Sequence, residues 1–140
     1  MIAYNSEIEF ELFEPEKVSS WLRNVISNEG FKEGELNFIF CSDSYLLEKN
    51  IEFLNHDTLT DIISFDYTMG KLISGDVFIS IERVKENSLE FNVAFNNELC
   101  RVMVHGVLHY CGYKDKTVEE KVEMRLKEDF YLSIFDGSFA

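Results

Sequence analysis

Proline occurs once in 140 residues and glycine seven times, which excludes a collagen-like rod and leaves no Pro/Gly-dense linker. Cysteine is scarce as well. Cys41, Cys100 and Cys111 form an odd set with no CxxC spacing, which argues against a disulfide scaffold and for a reducing compartment, so a cytoplasmic protein is expected. Each of the three is expected to be a small buried hydrophobe. No stretch approaches about eighteen consecutive apolar residues, so no helical membrane span is expected. The opening "MIAYNSEIEF" lacks both the basic region and the apolar core of a secretory signal. Positive charge is short too: 13 Lys and Arg face 26 Asp and Glu, a net charge of −13. Such an excess repels free nucleic acid at long range. DNA is not an expected partner, and any anionic polymer needs a local positive rim, the charge of a metal, or a partner protein to bring it in.

What is present fits one compact domain over residues 1–140, with 46% hydrophobic and 14% aromatic content around a single core. The basic residues lie late in the chain. Six of the thirteen fall between Arg101 and Lys127, so a positive rim can form locally inside an acidic protein.

In "NSEIEFELF", Ile8, Phe10 and Leu12 alternate with Glu7, Glu9 and Glu11, the period of two expected of a half-buried strand. From Pro15, helical spacing of Val18, Trp21, Leu22, Val25 and Ile26 predicts a core-packed helix ending at Gly30. "ELNFIFCSD" reads as a strand, and "SDSYLLEKNIEFLN" as a helix capped by Ser42 or Asp43. "DIISFDY" and "TMGKLISGDVFIS" give two more strands across a turn. Helices are then expected over Ile81–Glu90, from about Asn96 to Cys111, and from about Val118 to Phe130 or beyond, with a break near Phe91 to Val93. The order predicts an α+β fold: a small mixed sheet with helices packed on it.

The chemistry concentrates in "HGVLHYCGYKDKT". On a helical wheel His105, His109, Arg101 and Glu98 share one face, while Leu99, Val102, Met103, Val104, Val107, Leu108 and Cys111 cover the others. This helix is therefore sunk in the core with one polar stripe facing a cleft. Two His four residues apart bring their rings close enough to share an ion. Gly112 is placed to end the helix in a left-handed residue and turn the chain back, which makes Asp115 the nearest further ligand. Two imidazoles and a carboxylate leave a tetrahedral zinc one open position, as in a catalytic site. The same pair also suits two ordinary histidines satisfied by core or surface neighbours. Cys111 points off the His face and is expected in the core, and His56 in "NHDTLT" reads as a solvated loop residue. A peptidase of the HExxH kind needs a glutamate after the first His, where this chain has Gly106.

These residues carry a resemblance. The stretch is similar to the signature of the YbeY endoribonuclease family, whose pattern HGxLHxxGxDH supplies three zinc-binding His; His105, Gly106, Leu108, His109 and Gly112 match it. Asp115 stands at the third His, and Lys114 where the family usually has aspartate. "TDIISFDY" resembles the family's T-[DN]-V-L-S-F segment and "GDVFIS" its G-D-I-x-I-S strand. Phe53 and Leu54 stand at the family's Y-R, with Asp57 in register, so the arginine thought to hold phosphate is replaced by Leu54.

The resemblance implies a single-strand-specific, metal-dependent endoribonuclease of ribosomal RNA maturation and quality control. It further implies a zincin-like helix, one Zn2+ on His105, His109 and Asp115, a ribosomal RNA precursor as substrate, and ribosomal proteins as neighbours. Arg101, Lys114 and Lys116 are the expected substrate-binding residues, with Lys121 and Arg125 as further guides for the backbone. Arg101 is alternatively an ion-pair partner of Glu98. Two other functions fit the same residues: a zinc hydrolase acting on a peptide or small molecule, and a ribosome assembly factor with a structural metal.

Overall fold

The computed structural model describes residues 1–54 and 60–139. His56 and Asp57 lie outside the described residues, as does the side chain of Leu54. The elements run β1 (Ile2–Ser6), α1 (Pro15–Asn28), β2 (Lys32–Cys41), α2 (Asp43–Leu54), β3 (Ile62–Asp66), β4 (Leu72–Ser80), α3 (Ile81–Glu90), α4 (Phe95–Tyr110) and α5 (Val118–Ser133). The four strands form one mixed sheet in the order β1-β2-β4-β3, parallel except for β3, which runs antiparallel to β4 at the edge. This is the α+β arrangement expected from the order of elements.

The strand pleat sorts the sheet into two faces. Phe38, Phe40, Val77 and Ile79 meet α1 and α4 in the main core, whereas Ile63, Phe65 and Phe78 meet Leu46 and Tyr45 of α2 on the other side. The central α4 is buried almost all round. Leu99, Met103, Val107 and Leu108 are fully enclosed, each contributing roughly 1.5–3 kcal/mol. Together they outweigh the cost of about 1 kcal/mol for a mid-helix glycine at Gly106. That glycine sits in close packing. A Cβ there would lie 3.2 Å from Ile62 Cδ1 and 3.4 Å from Val77 Cγ1, so α4 crosses the sheet where its own surface is thinnest. The position that carries the base in HExxH peptidases thus faces strands β3 and β4.

One expectation is corrected. The alternating stretch at Ile8, Phe10 and Leu12 is not a strand; β1 lies earlier, and residues 7–14 are irregular. β1 pairs with Leu36 to Phe40 of β2, and Glu7 N donates the last bond of that edge, to Phe40 O. Past Cys41 the chain turns into α2, so a strand over residues 8–12 has no partner. Phe10 and Leu12 still pack on the core from the loop.

The helix termini follow local chemistry. Thr117 accepts from the Glu120 amide and Glu120 reaches back to the Thr117 amide, a complete capping box that fixes where α5 begins. Cys111 caps α4 and packs against the core, and burial pushes its thiol up to about 12. Cys41 and Cys100 are buried. No helix among the described residues is long and apolar enough to cross a membrane.

Candidate metal centre

His105 and His109 sit one turn apart on α4, with ring centroids 4.5 Å apart. Beyond α4, Gly112 adopts φ +101°, a backbone region that disfavours residues with a Cβ, and the chain doubles back over the His face. Asp115 arrives where the spacing predicts. His105 Nε2 lies 3.0 Å from His109 Nε2 and 3.1 Å from Asp115 Oδ2, and His109 Nε2 lies 3.4 Å from the same oxygen. Ligand bonds of 2.0–2.2 Å in a tetrahedron place donor atoms about 3.3–3.5 Å apart. The three atoms are therefore close to the spacing that an ion requires, with a small expansion.

The other ring nitrogens show that this convergence is built. His105 Nδ1 lies 2.7 Å from Glu128 Oε2, and His109 Nδ1 lies 2.9 Å from the Tyr113 carbonyl. Each Nδ1–H therefore donates to an oxygen, which leaves each Nε2 with its lone pair facing the centre. Two lone pairs and a carboxylate that face one another call for a positive charge between them. At His105 burial works to lower the pKa, but the hydrogen bond to Glu128 and the charges of Glu128, Asp115 and Asp61 outweigh it and hold the pKa above the ordinary value, so the surroundings of this ring favour positive charge. The donor set fits a metal ion, and His105, His109 and Asp115 are the group among the described residues able to hold one.

Around this centre opens a cleft of about 580 Å³, walled by β3, the end of α3, the His face of α4, and α5. Its walls are rich in acid. Glu98, at 5% exposure, and Asp61 are both pushed above the usual carboxylate range by burial, against the pull of Arg101 on the first and of His105 and Arg83 on the second. The buried Glu128 is shared: its Oε1 accepts from Arg101 Nη1 at 2.9 Å while Oε2 holds His105.

Arg101 lines the cleft as its place on the His face predicts. Its ion-pair partners are Glu128 and, at 2.6 Å, Asp129, rather than Glu98. Lys114 and Lys116 are exposed on the turn after Gly112 and do not line the cleft, whereas Lys121 and Arg125 do.

Glu128, the Tyr113 carbonyl and Asp61 were not assigned from sequence. Glu128 left a trace there. It lies in helical register with Met124, Tyr131 and Leu132, the buried face of α5, and a carboxylate on a core face needs a partner. Backbone carbonyls leave no such trace.

Comparison with known proteins places the whole chain. The model of the family described as endoribonuclease YbeY matches residues 3–136. The endoribonuclease YbeY of Flavobacterium psychrophilum is 57% identical over 135 residues, covering 96% of this chain and 96% of that protein. That of Flavobacterium johnsoniae is 56% identical over 135 residues, 96% of this chain and 97% of its own length. Among solved structures, the solution structure of TM1509 from Thermotoga maritima superposes with a TM-score of 0.68 at 27% identity, over 95% of this chain and 87% of that one. With a family model matched over nearly its whole length and relatives at this identity, the chain belongs to the endoribonuclease YbeY family.

Proposed function

We propose that this protein is a metal-dependent endoribonuclease that cuts single-stranded RNA during ribosomal RNA maturation, with one zinc ion held by His105, His109 and Asp115. The observation that carries this reading is the convergence of His105 Nε2, His109 Nε2 and Asp115 Oδ2, with both Nδ1 atoms already committed, at a cleft whose volume suits a small ligand or nucleotide. Two nitrogens and one carboxylate oxygen favour zinc over magnesium or calcium, which prefer all-oxygen sites. When bound, such an ion supplies Lewis acidity toward a phosphoryl oxygen or lowers the pKa of a water molecule.

The protein's own residues do the positioning. Glu128 and the Tyr113 carbonyl fix the two rings so that both present Nε2. Arg101, at the cleft wall, meets a phosphate by exchanging the exposed Asp129 for it while Glu128 keeps its hold. Lys114 and Lys116, out on the turn, add attraction for a polyanion arriving from solvent. The physiological substrate in this reading is a ribosomal RNA precursor in the cytoplasm, presented beside ribosomal proteins.

The test is metal analysis and cleavage of a single-stranded RNA by the wild type, His105→Ala and His109→Ala. The expected result is a folded variant that has lost both metal and cleavage. Variants that unfold when the metal is lost point to a structural ion in an assembly factor. A metal-loaded wild type that leaves RNA intact but hydrolyses peptides overturns the ribonuclease reading.

A further inference from the structure

The cleft wall supplies cations that the metal centre does not use. Arg101, held by Glu128 and Asp129, is already assigned to a phosphate beside the metal. Lys121 and Arg125, one turn apart on α5, share a helix face and both line the cleft. Among the described residues Lys121 Nζ makes no salt bridge, and the closest carboxylate to Arg125, that of Glu128, is 3.9 Å away with the arginine side chain 58% exposed. On the other flank of α4 stands Phe91, which caps α3 and lines the same cleft while 53% exposed. An aromatic ring left half in water at the mouth of a polar cleft contributes little to the core.

We infer that Lys121 and Arg125 grip the sugar-phosphate backbone of a single-stranded RNA while Phe91 stacks on one of its unpaired bases, the two contacts straddling the metal centre. The inference rests on the ribonuclease reading and names how the substrate is held. Charge complementarity favours a polyanion on the α5 side of an otherwise acidic cleft, and a flat apolar face favours a base free of its partner. A duplex keeps its bases stacked inside, so it can use the cations but not Phe91.

The experiment is equilibrium binding of a 2′-O-methyl oligonucleotide, which resists cleavage, to the metal-loaded protein across a salt series. The wild type is compared with Lys121→Gln/Arg125→Gln, Phe91→Ala and Phe91→Tyr. The double variant is expected to bind more weakly and to flatten the plot of log affinity against log salt by about 1.4, two phosphate contacts on a single strand. Phe91→Ala is expected to bind the single strand about tenfold more weakly with the salt slope unchanged. Phe91→Tyr restores binding, and a duplex of the same sequence does not register the alanine change. Metal content stays intact in all three. If the wild type binds and cleaves single strands but the variants match its affinity and slope, this subsite is wrong and the ribonuclease reading stands; if the wild type neither binds nor cleaves, both fail.

Discussion

The two histidines of the centre look alike in sequence, yet they are held by different chemistry. His105 is oriented by a side chain, the buried carboxylate of Glu128, which arrives from α5 and is itself held by Arg101. His109 is oriented by main chain, the Tyr113 carbonyl, and the turn that delivers this carbonyl also carries Asp115. One half of the centre depends on helix-to-helix packing and on a charge. The other depends on a loop conformation, anchored where the Tyr113 hydroxyl donates to Glu29 Oε1 at 2.7 Å and Tyr131 donates to the other oxygen of the same carboxylate. The two anchors, Glu128 on α5 and Glu29 just past α1, share no partner among these bonds. The halves nevertheless meet at Asp115 and at the 3.0 Å contact of the two Nε2 atoms, so a change in either half should act most on its own histidine and less on the other.

The largest effect is expected at the charged half. Glu128→Gln offers one acceptor where two donors, His105 Nδ1 and Arg101 Nη1, now have one each, and it removes the charge facing Arg101. Loss of one member of a buried pair costs about 3–5 kcal/mol. Because Asp129 still faces Arg101, about 3 kcal/mol is expected in urea unfolding of the metal-free protein. Zinc affinity, followed by calorimetric titration, should fall by about 10–100-fold, as for other partners of metal-bound histidines.

A smaller effect is expected at the loop-held half. In Gly112→Ala the added Cβ meets nothing within 4 Å, so the cost is the φ of +101° alone, about 1–2 kcal/mol. The imidazole resonances of the metal-free protein sharpen the contrast. Glu128→Gln should move those of His105 more than those of His109; Gly112→Ala should do the reverse. Equal movement of both rings in either variant would show that the halves are coupled.

The same division governs what could be read from the chain. The helical wheel placed His105, His109, Arg101 and Glu98 together because an α-helix has one period and α4 follows it. Gly112 and Asp115 were legible because a left-handed glycine after a helix constrains where the next few residues go. Which distant residue would meet Nδ1 of His105 was not legible. Glu128 reaches it across 23 residues, and only the packing of α5 on α4 decides that. Arg101 shows the same limit, since Glu98 stands at a permissible helical spacing but Glu128 and Asp129 win it from another helix. At the N-terminus, the alternation of Ile8, Phe10 and Leu12 reads as a half-buried strand, yet only Phe10 and Leu12 of the three pack on the core, and from a loop, because a ladder also needs a neighbour of matching length and β2 ends at Cys41.

The smallest expected effect tests the far anchor of the loop. Burial works to raise the Glu29 carboxyl, but hydrogen bonds from Tyr131 and Tyr113 and the charge of Lys127 outweigh it and hold the group below its ordinary 4.5. A carboxylate with a depressed folded-state pKa gives stability that is fully present above that ordinary value. It is lost as pH falls below 4.5 and through the folded pKa. Tyr113→Phe deletes one of the donors and is expected to cost about 1 kcal/mol at neutral pH. Glu29→Gln removes the titration itself. The gap between its urea midpoint and that of the wild type should be widest near neutral pH and should narrow as pH falls below 4.5. A gap independent of pH would mean that Glu29 holds the loop by shape and not by charge, leaving the Tyr113 carbonyl, and with it His109, anchored by packing alone.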